Sequence, residues 1–167
     1  MWTFALAPSY ASSPHIDMTF TLRSSAFRDG QAIPTSFTCD GANLAPPLAW
    51  SDPPEGTRSF ALIMDDPDAP KGTFTHWLLC DIPATTVELR EHVGGTALRN
   101  DFGRAGYGGP CPPPDHGPHR YFFTLYAVDV PTLNVHGRTR QALERALHTH
   151  TLATACLMGR YERKSKR

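Results

Sequence analysis

Hydrophobic residues in this chain occur in short runs, and proline or glycine separates most of these runs from one another. The 167 residues include 16 prolines and 13 glycines, which leave few windows long enough for a helix. Short apolar runs between turn residues are typical of β-strands. The pattern therefore predicts a mainly β fold. The predicted strands cover residues 19–24, 59–64, 75–82, 120–128 and 152–161.

The run at 59–64 (SFALIM) is continuously apolar, which is typical of a strand that is covered on both faces. Residues 138–148 have helical spacing, because alanines and leucines recur on one side and charges on the other. Thr139 or Asn134 is expected to cap this helix. We therefore predict an antiparallel β-sandwich with long loops and a short C-terminal helix.

The length fits one domain, which we place at residues 18–162. Residues 1–17 lack lysine and arginine and resemble no signal peptide, so we interpret them as a disordered leader or a start assigned too early. The 16 basic and 16 acidic residues balance, although residues 163–167 form a basic tail that we expect to be solvated, with no nucleic-acid partner. No apolar run approaches the roughly 20 residues of a membrane span. We expect a soluble, cytoplasmic protein.

The four cysteines show no C-x-x-C pair of the kind that marks zinc ribbons or redox motifs. Without evidence of export, free buried thiols are the favoured interpretation. A disulfide between Cys39 and Cys111 is the alternative. The cysteines are Cys39, Cys80, Cys111 and Cys156.

The segment DDPDAP places two carboxylates, Asp66 and Asp68, around a proline that fixes the backbone direction. His76 follows ten and eight residues later. One interpretation is a proline-stabilised turn in which the aspartates bind backbone amides. The other is a rigid polar lip of a binding pocket, at the end of the strand 59–64.

The segment GYGGPCPPPDHGPHRY combines a glycine turn with a run of prolines. Glycines let a backbone approach a ligand closely, and prolines form a stiff extended wall. His119 and Tyr121 are two residues apart in a predicted strand, so their side chains share one face. Both side chains are therefore expected to point into one cavity.

Two chemical alternatives compete with a simple binding pocket. Cys111, His116 and His119 contain three metal-ligand types, but their spacing matches no standard zinc site and the prolines restrict the thiolate. A hydrolase, zinc-dependent or metal-independent, could use the aspartates and histidines, but no G-x-S-x-G elbow is present. We assign Cys111 and His116 to the loop scaffold and the surface, and we predict no metal site.

Three motifs in order, FTCDGANLAPPLAW, MDDPDAPKGTFTHW and GYGGPCPPPDHGPHRY, resemble the phosphatidylethanolamine-binding protein (PEBP) family, in its bacterial Raf-kinase-inhibitor-like branch. The resemblance covers residues 20–161. It implies a non-catalytic β-sandwich that binds a small anion or phospholipid head group such as phosphate or phosphorylethanolamine, without a cofactor. It leaves open a kinase or serine-protease partner and a homodimer. Carried over by motif position, the pocket residues are Asp66, Asp68, His76, Gly109, Pro110, His119 and Tyr121.

The charges of this pocket predict a pH dependence. A dianionic phosphate would be repelled by Asp66 and Asp68, so a shared proton, a protonated imidazole or a ligand ammonium group must compensate. The second pKa of a phosphate monoester lies near ~6, and that of an ordinary histidine near ~6.5. We therefore expect anion binding to weaken as the pH rises from about 6 to about 8.

Overall fold

A computed structural model describes residues 19–90 and 94–165 of the chain. The predicted leader at 1–17 lies outside these residues, as do positions 166 and 167 of the tail. In the part described, eight strands and one α-helix follow one another. They are β1 (Thr21–Arg23), β2 (Leu48–Ser51), β3 (Ser59–Asp66), β4 (Phe74–Pro83), β5 (Glu88–Leu89), β6 (Thr96–Ala97), β7 (His119–Val128), α1 (Arg140–His150) and β8 (Thr151–Tyr161).

The strands form two antiparallel sheets, which confirms the predicted mainly β fold. One sheet has three strands in the order β1-β2-β5, and the other has five in the order β6-β4-β3-β7-β8. Side chains from both sheets meet in one hydrophobic core, for example Trp50 of β2 against Phe60 of β3, with ring centroids 5.1 Å apart. The two sheets therefore pack face to face as a sandwich.

Strand β3 lies at the centre of the larger sheet and is buried on both faces, as its continuous apolar run predicts. Phe60 and Met64 point into the core between the sheets. Ile63 points to the opposite face, where it joins Leu143 and Leu147 of α1 in a second hydrophobic cluster. The helix thus covers the outer face of the larger sheet and holds β3 in a fixed position.

Helix α1 begins two residues later than predicted and ends two residues later. The Thr139 side chain caps it by accepting a hydrogen bond of 3.2 Å from the Ala142 amide, so the cap is Thr139 rather than Asn134. The sequence pattern missed β2, β5 and β6, which have four residues or fewer. Such short strands contain too few positions to show an alternating pattern.

Antiparallel pairing brings three chain segments to one end of the larger sheet. Strand β3 ends at Asp66, where its neighbour β4 begins with Phe74 directly opposite. On the other side of β3, Asp65 pairs with Phe122 near the start of β7. The end of β3 and the starts of β4 and β7 therefore meet at the same end of the sheet, where Asp66, His76, His119 and Tyr121 lie.

The favoured interpretation of free thiols is wrong for two of the cysteines. Cys39 and Cys111 form a disulfide with a Cα–Cα distance of 5.4 Å. Their loops are already joined because the Cys39 amide donates to the Pro110 carbonyl at 3.1 Å. Cys80 is free and buried as predicted, whereas Cys156 is free but exposed. Sequence spacing could not reveal this pairing, because the two loops meet only in the folded sandwich.

Part of the basic tail is held against the domain instead of being solvated throughout. The Arg163 guanidinium binds the Asp40 carboxylate at 3.0 Å. The Ser165 amide donates to the Asp115 carboxylate at 3.1 Å. Residues 163–165 therefore continue the fold past β8.

In the described residues, no helix has the length and apolar character needed to cross a membrane.

Candidate functional site

Asp66 and His119 form the buried centre of the candidate site. Nδ1 of His119 and Oδ2 of Asp66 are 2.7 Å apart, and the two side chains are only 2% and 4% exposed. The other Asp66 oxygen accepts the Asp68 amide at 2.8 Å, which fixes the turn after β3. The turn interpretation of the DDPDAP segment therefore holds for Asp66, which binds a backbone amide and also faces a buried imidazole, whereas the binding-pocket interpretation stays a prediction.

His76 on β4 is a buried imidazole with a fixed orientation. Its Nδ1 lies 2.7 Å from the Gly108 carbonyl oxygen, so Nδ1 carries the proton and donates it, and Nε2 keeps a lone pair in the neutral ring. Burial lowers the pKa of His76 below its ordinary value, and the Gly108 carbonyl and Asp66 offset this only in part. His76 is therefore a hydrogen-bond acceptor at neutral pH.

Tyr121 lies beside His76, with the two ring centroids 5.2 Å apart. Its side chain is fully buried, and its hydroxyl has no hydrogen-bond partner among the residues that the structure describes. Burial raises the pKa of Tyr121, and the charge of Asp66 raises it further. The hydroxyl therefore keeps its proton. It makes no hydrogen bond of ordinary geometry to a described residue, although the Asp66 carboxylate and the Cys111 backbone lie near it.

Gly109 and Pro110 form the wall beside these side chains. The Gly109 amide donates to the Asn43 side-chain oxygen at 2.9 Å, and a Cβ at this position would lie 2.5 Å from the Phe37 carbonyl oxygen. Glycine is thus required for packing of the 35–44 loop against the wall. The disulfide between Cys111 and Cys39 holds the wall and the same loop together two residues further along.

Asp68 lies on the outer rim of the site and not in its buried centre. Its two oxygens bind the Arg120 guanidinium at 2.8 and 2.9 Å, and its side chain is 29% exposed. These bonds lower the pKa of Asp68 to about 2. A single sequence gave no signal for this partner, because Arg120 is 52 residues away in the chain.

Two further residues on the 98–108 loop complete the site, and the sequence interpretation missed both. The Phe102 ring packs against the His76 ring at 5.3 Å and fills the space that a Cβ on Gly108 would occupy. The Asn100 amide donates to the carbonyl oxygens of His76 at 3.1 Å and Gly106 at 2.9 Å. Asn100 thus ties the loop to β4. The glycines of this loop indicated in the sequence that the loop is special, but they did not indicate that Asn100 and Phe102 contact His76.

His116 is also closer to the site than the sequence predicted. Its side chain is exposed, as expected of a surface residue, but its Nδ1 lies 2.8 Å from Nε2 of the buried His119. A cleft of about 420 Å³ opens here. Its lining residues are Asp68, His116, Pro118, His119, Arg120 and Arg160.

Comparison with known proteins assigns the family. Residues 23–162 match the family model for phosphatidylethanolamine-binding protein. The chain belongs to this PEBP family. A UPF0098 protein of Aquifex aeolicus is 50% identical over 148 residues, which cover 84% of this chain and 86% of the relative.

Two solved structures of PEBP relatives share the fold. A PEBP homolog from Chlamydia trachomatis, CT736, superposes with a TM-score of 0.81 at 37% identity, covering 87% of this chain and 98% of its own. YbcL of E. coli, described as a member of the mammalian PEBP family, also gives a TM-score of 0.81, at 35% identity, covering 87% of this chain and 99% of its own. The β-sandwich is therefore the PEBP fold.

The structure gives no support to the zinc alternative for this PEBP member. In the two stretches that it describes, no three side chains of histidine, cysteine, aspartate or glutamate come together as a metal site. Cys111 has its sulfur in a disulfide, so it cannot act as a thiolate ligand beside His116 and His119.

Proposed function

We propose that this PEBP family member is a non-catalytic binding protein for a small anion that still carries a proton, such as a phosphate or phosphate-monoester head group. The observation that supports the proposal most directly is the Tyr121 hydroxyl, which is buried without a hydrogen-bond partner in the described residues. An unpaired buried donor costs about 1 to 3 kcal/mol. An anion that accepts its hydrogen bond would remove that cost.

The groups around Tyr121 favour a protonated anion. Neutral His76 offers an acceptor at Nε2, and Asp66 adds a second acceptor within the same site. A fully ionised phosphate would be repelled by the Asp66 carboxylate. A monoanionic phosphate, which is H2PO4⁻ for the inorganic ion and the singly protonated form of a monoester, can instead accept from Tyr121 and donate to His76 or Asp66. The proton on the phosphate would then be the shared proton that the charges of the pocket predict.

The same residues provide little for covalent catalysis. A tyrosine with a raised pKa is a poor nucleophile at neutral pH, and the Cys111 sulfur is bonded to Cys39. The polar groups of the site are therefore better suited to holding an anion than to attacking a substrate. The kinase or serine-protease partner and the homodimer remain predictions from the family resemblance.

Tyr121→Phe tests the anion site with two measurements on one variant. Calorimetric titration with inorganic phosphate should show binding weakened by about tenfold or more, because a hydrogen bond to a charged group contributes roughly 1.5 to 3 kcal/mol. Urea unfolding should show a free energy of unfolding that is unchanged or about 1 kcal/mol higher, because the variant removes an unpaired hydroxyl. Unaltered phosphate affinity in this variant would refute the proposal.

Tyr107→Phe is the matched control. The Tyr107 hydroxyl donates to the Phe37 carbonyl oxygen at 2.6 Å, so this variant should lose about 1 kcal/mol of stability. Parallel titrations with phosphorylethanolamine and with vesicles containing phosphatidylethanolamine separate a free ligand from a lipid head group. Binding of phosphorylethanolamine but not of vesicles would assign the site to a free metabolite.

A further inference from the structure

A chain of hydrogen bonds connects the buried centre of the candidate site with the protein surface. The buried Asp66 carboxylate lies 2.7 Å from Nδ1 of His119. The opposite nitrogen of the same ring, Nε2, lies 2.8 Å from Nδ1 of His116, whose side chain is exposed. His116 therefore occupies the outward hydrogen-bonding position of His119. If the proposed anion-binding function holds, the contact between His116 and His119 can control when the anion binds.

The number of protons decides whether this contact can exist. With Nδ1 of His119 donating to the Asp66 carboxylate, a neutral His119 has its lone pair at Nε2, and His116 donates from Nδ1. One added proton can be carried at Nε2 of His116 without breaking the bond. A second added proton would place N–H groups on both sides of the contact. The two imidazolium rings would then repel each other, and the exposed ring of His116 is the one that can move away.

The surroundings determine what could balance two positive rings. The negative charges of Asp66 and Asp68 already have the partners His119 and Arg120, respectively. An anion in the cleft or the adjoining site would supply the missing negative charge. The charged and titratable groups around the two imidazoles are Asp66 on β3, Asp68 in the following turn, His76 on β4, Arg120 and Tyr121 on β7, and Arg160 on β8.

We propose that His116 is a proton-controlled latch on the anion site. In the closed state its ring occupies Nε2 of His119. When an anion binds together with protons, His116 moves off, and Nε2–H of His119 becomes a donor to the anion. His116 is thus a positioning residue: it sets the pH range in which His119 can bind the ligand, and it is not needed for the pocket to form.

The pH profile of phosphate binding tests the latch. His116→Ala leaves Nε2 of His119 without its partner at every pH, so Nε2 can take up a proton together with the anion without a latch to open. The variant should therefore bind phosphate several-fold more tightly than the unmodified protein at about pH 8, where the latch is closed. The two affinities should converge as the pH falls and the second proton opens the latch. The slope of the logarithm of Kd against pH should be shallower in the variant by up to about one proton.

His150→Ala is the control, because His150 is an exposed histidine whose Nδ1 pairs with Asp129 at 2.8 Å, away from the candidate site. It should leave the phosphate profile unchanged. A change in affinity for His116→Ala that is equal at every pH measured, or absent throughout, would overturn the latch.

Nitrogen NMR of the histidine rings in the ligand-free protein tests the latch even if phosphate does not bind at all. That result would count against the anion function, whereas the latch would be judged by the rings alone. The latch predicts that His116 and His119 titrate as a coupled pair and that the second proton breaks their hydrogen bond. Independent titration of the two rings would overturn it.

Discussion

His76 shows how the fold sets the chemistry of a single side chain. The ring lies among three aromatic rings, those of Phe74, Phe102 and Tyr121, with centroids 5.1 to 5.3 Å away. This environment disfavours the imidazolium form, which lowers the pKa of His76. If anion binding is strengthened by a protonated His76, that strengthening should occur at a pH below the range in which an ordinary histidine is protonated.

The lowered pKa of His76 also predicts a pH dependence of stability. Above about pH 6.5 the ring is neutral in both the folded and the unfolded states, so the benefit of keeping it neutral is complete. As the pH falls below that value, the unfolded state takes up a proton first, and the free energy of unfolding falls by at most about 1.4 kcal/mol per pH unit for this one group.

The variant His76→Gln should have a flatter stability profile than the unmodified protein. Urea unfolding at about pH 7 and about pH 5 measures the difference, and His150→Gln serves as the exposed-histidine control. An equal loss of stability between the two pH values in His76→Gln and in the unmodified protein would show that His76 does not contribute to the profile.

Individual site residues were predictable where a local pattern determines side-chain direction. The two-residue spacing of His119 and Tyr121 placed both on one strand face, and both are buried. The bonds from His119 to His116 and from Asp68 to Arg120 were not predictable, because each depends on the relative positions of loop and strand ends. The spacing of His116 and His119 drew attention to the pair only through a metal site, which was considered and rejected, and gave no sign of the hydrogen bond between them.

At the scale of elements, the glycine turn before β7 supports the site through two different close contacts. Gly108 leaves room for the Phe102 ring, and a Cβ there would lie 2.3 Å from a ring carbon. Gly109 leaves room for the 35–44 loop, where a Cβ would meet Asn43 and the Phe37 carbonyl oxygen. The Phe102 ring beside Gly108 is a partly exposed side chain that can turn. The Phe37 carbonyl beside Gly109 is backbone and cannot.

The two glycine variants should therefore differ in stability. Gly109→Ala should lower the free energy of unfolding by about 1 to 3 kcal/mol, as expected for an atom forced into a packed region. Gly108→Ala should cost less than about 1 kcal/mol, because the Phe102 ring can swing outward. Urea unfolding of both variants shows which of them loses more stability. Equal losses would mean that the Phe102 ring is as firmly held as the Phe37 backbone.

The longer elements were predictable from the sequence, and the short ones were not. Strands β3, β4, β7 and β8 and helix α1 each contain enough positions for a hydrophobic pattern to appear. Strands β5 and β6 have two residues each and exist because longer neighbours offer them unpaired backbone groups. Their positions are a property of the assembled sheets and not of the local sequence.

For the whole molecule, the disulfide contributes to stability because it closes a long loop. Cys39 and Cys111 are separated by 72 residues, and closing a loop of this size removes unfolded-state entropy worth about 4 kcal/mol. The bond also favours an oxidising compartment over the cytoplasmic location expected from the sequence, since disulfides persist mainly under oxidising conditions.

Reduction should therefore lower the free energy of unfolding by about 4 kcal/mol, as measured by urea unfolding with and without reductant. A thiol assay on the unfolded protein should detect two free thiols before reduction, from Cys80 and Cys156. After reduction it should detect all four cysteines of the chain. Four reactive thiols in unreduced protein would show that the cross-link does not form.

The position of the cross-link in the chain has a consequence for biosynthesis. Cys111 precedes β7, so both cysteines have been synthesised before His119 and Tyr121. In an oxidising compartment, the bond can therefore close while β7, α1 and β8 are still being made. One wall of the site would then be fixed in advance, and the arriving strand β7 would dock against it.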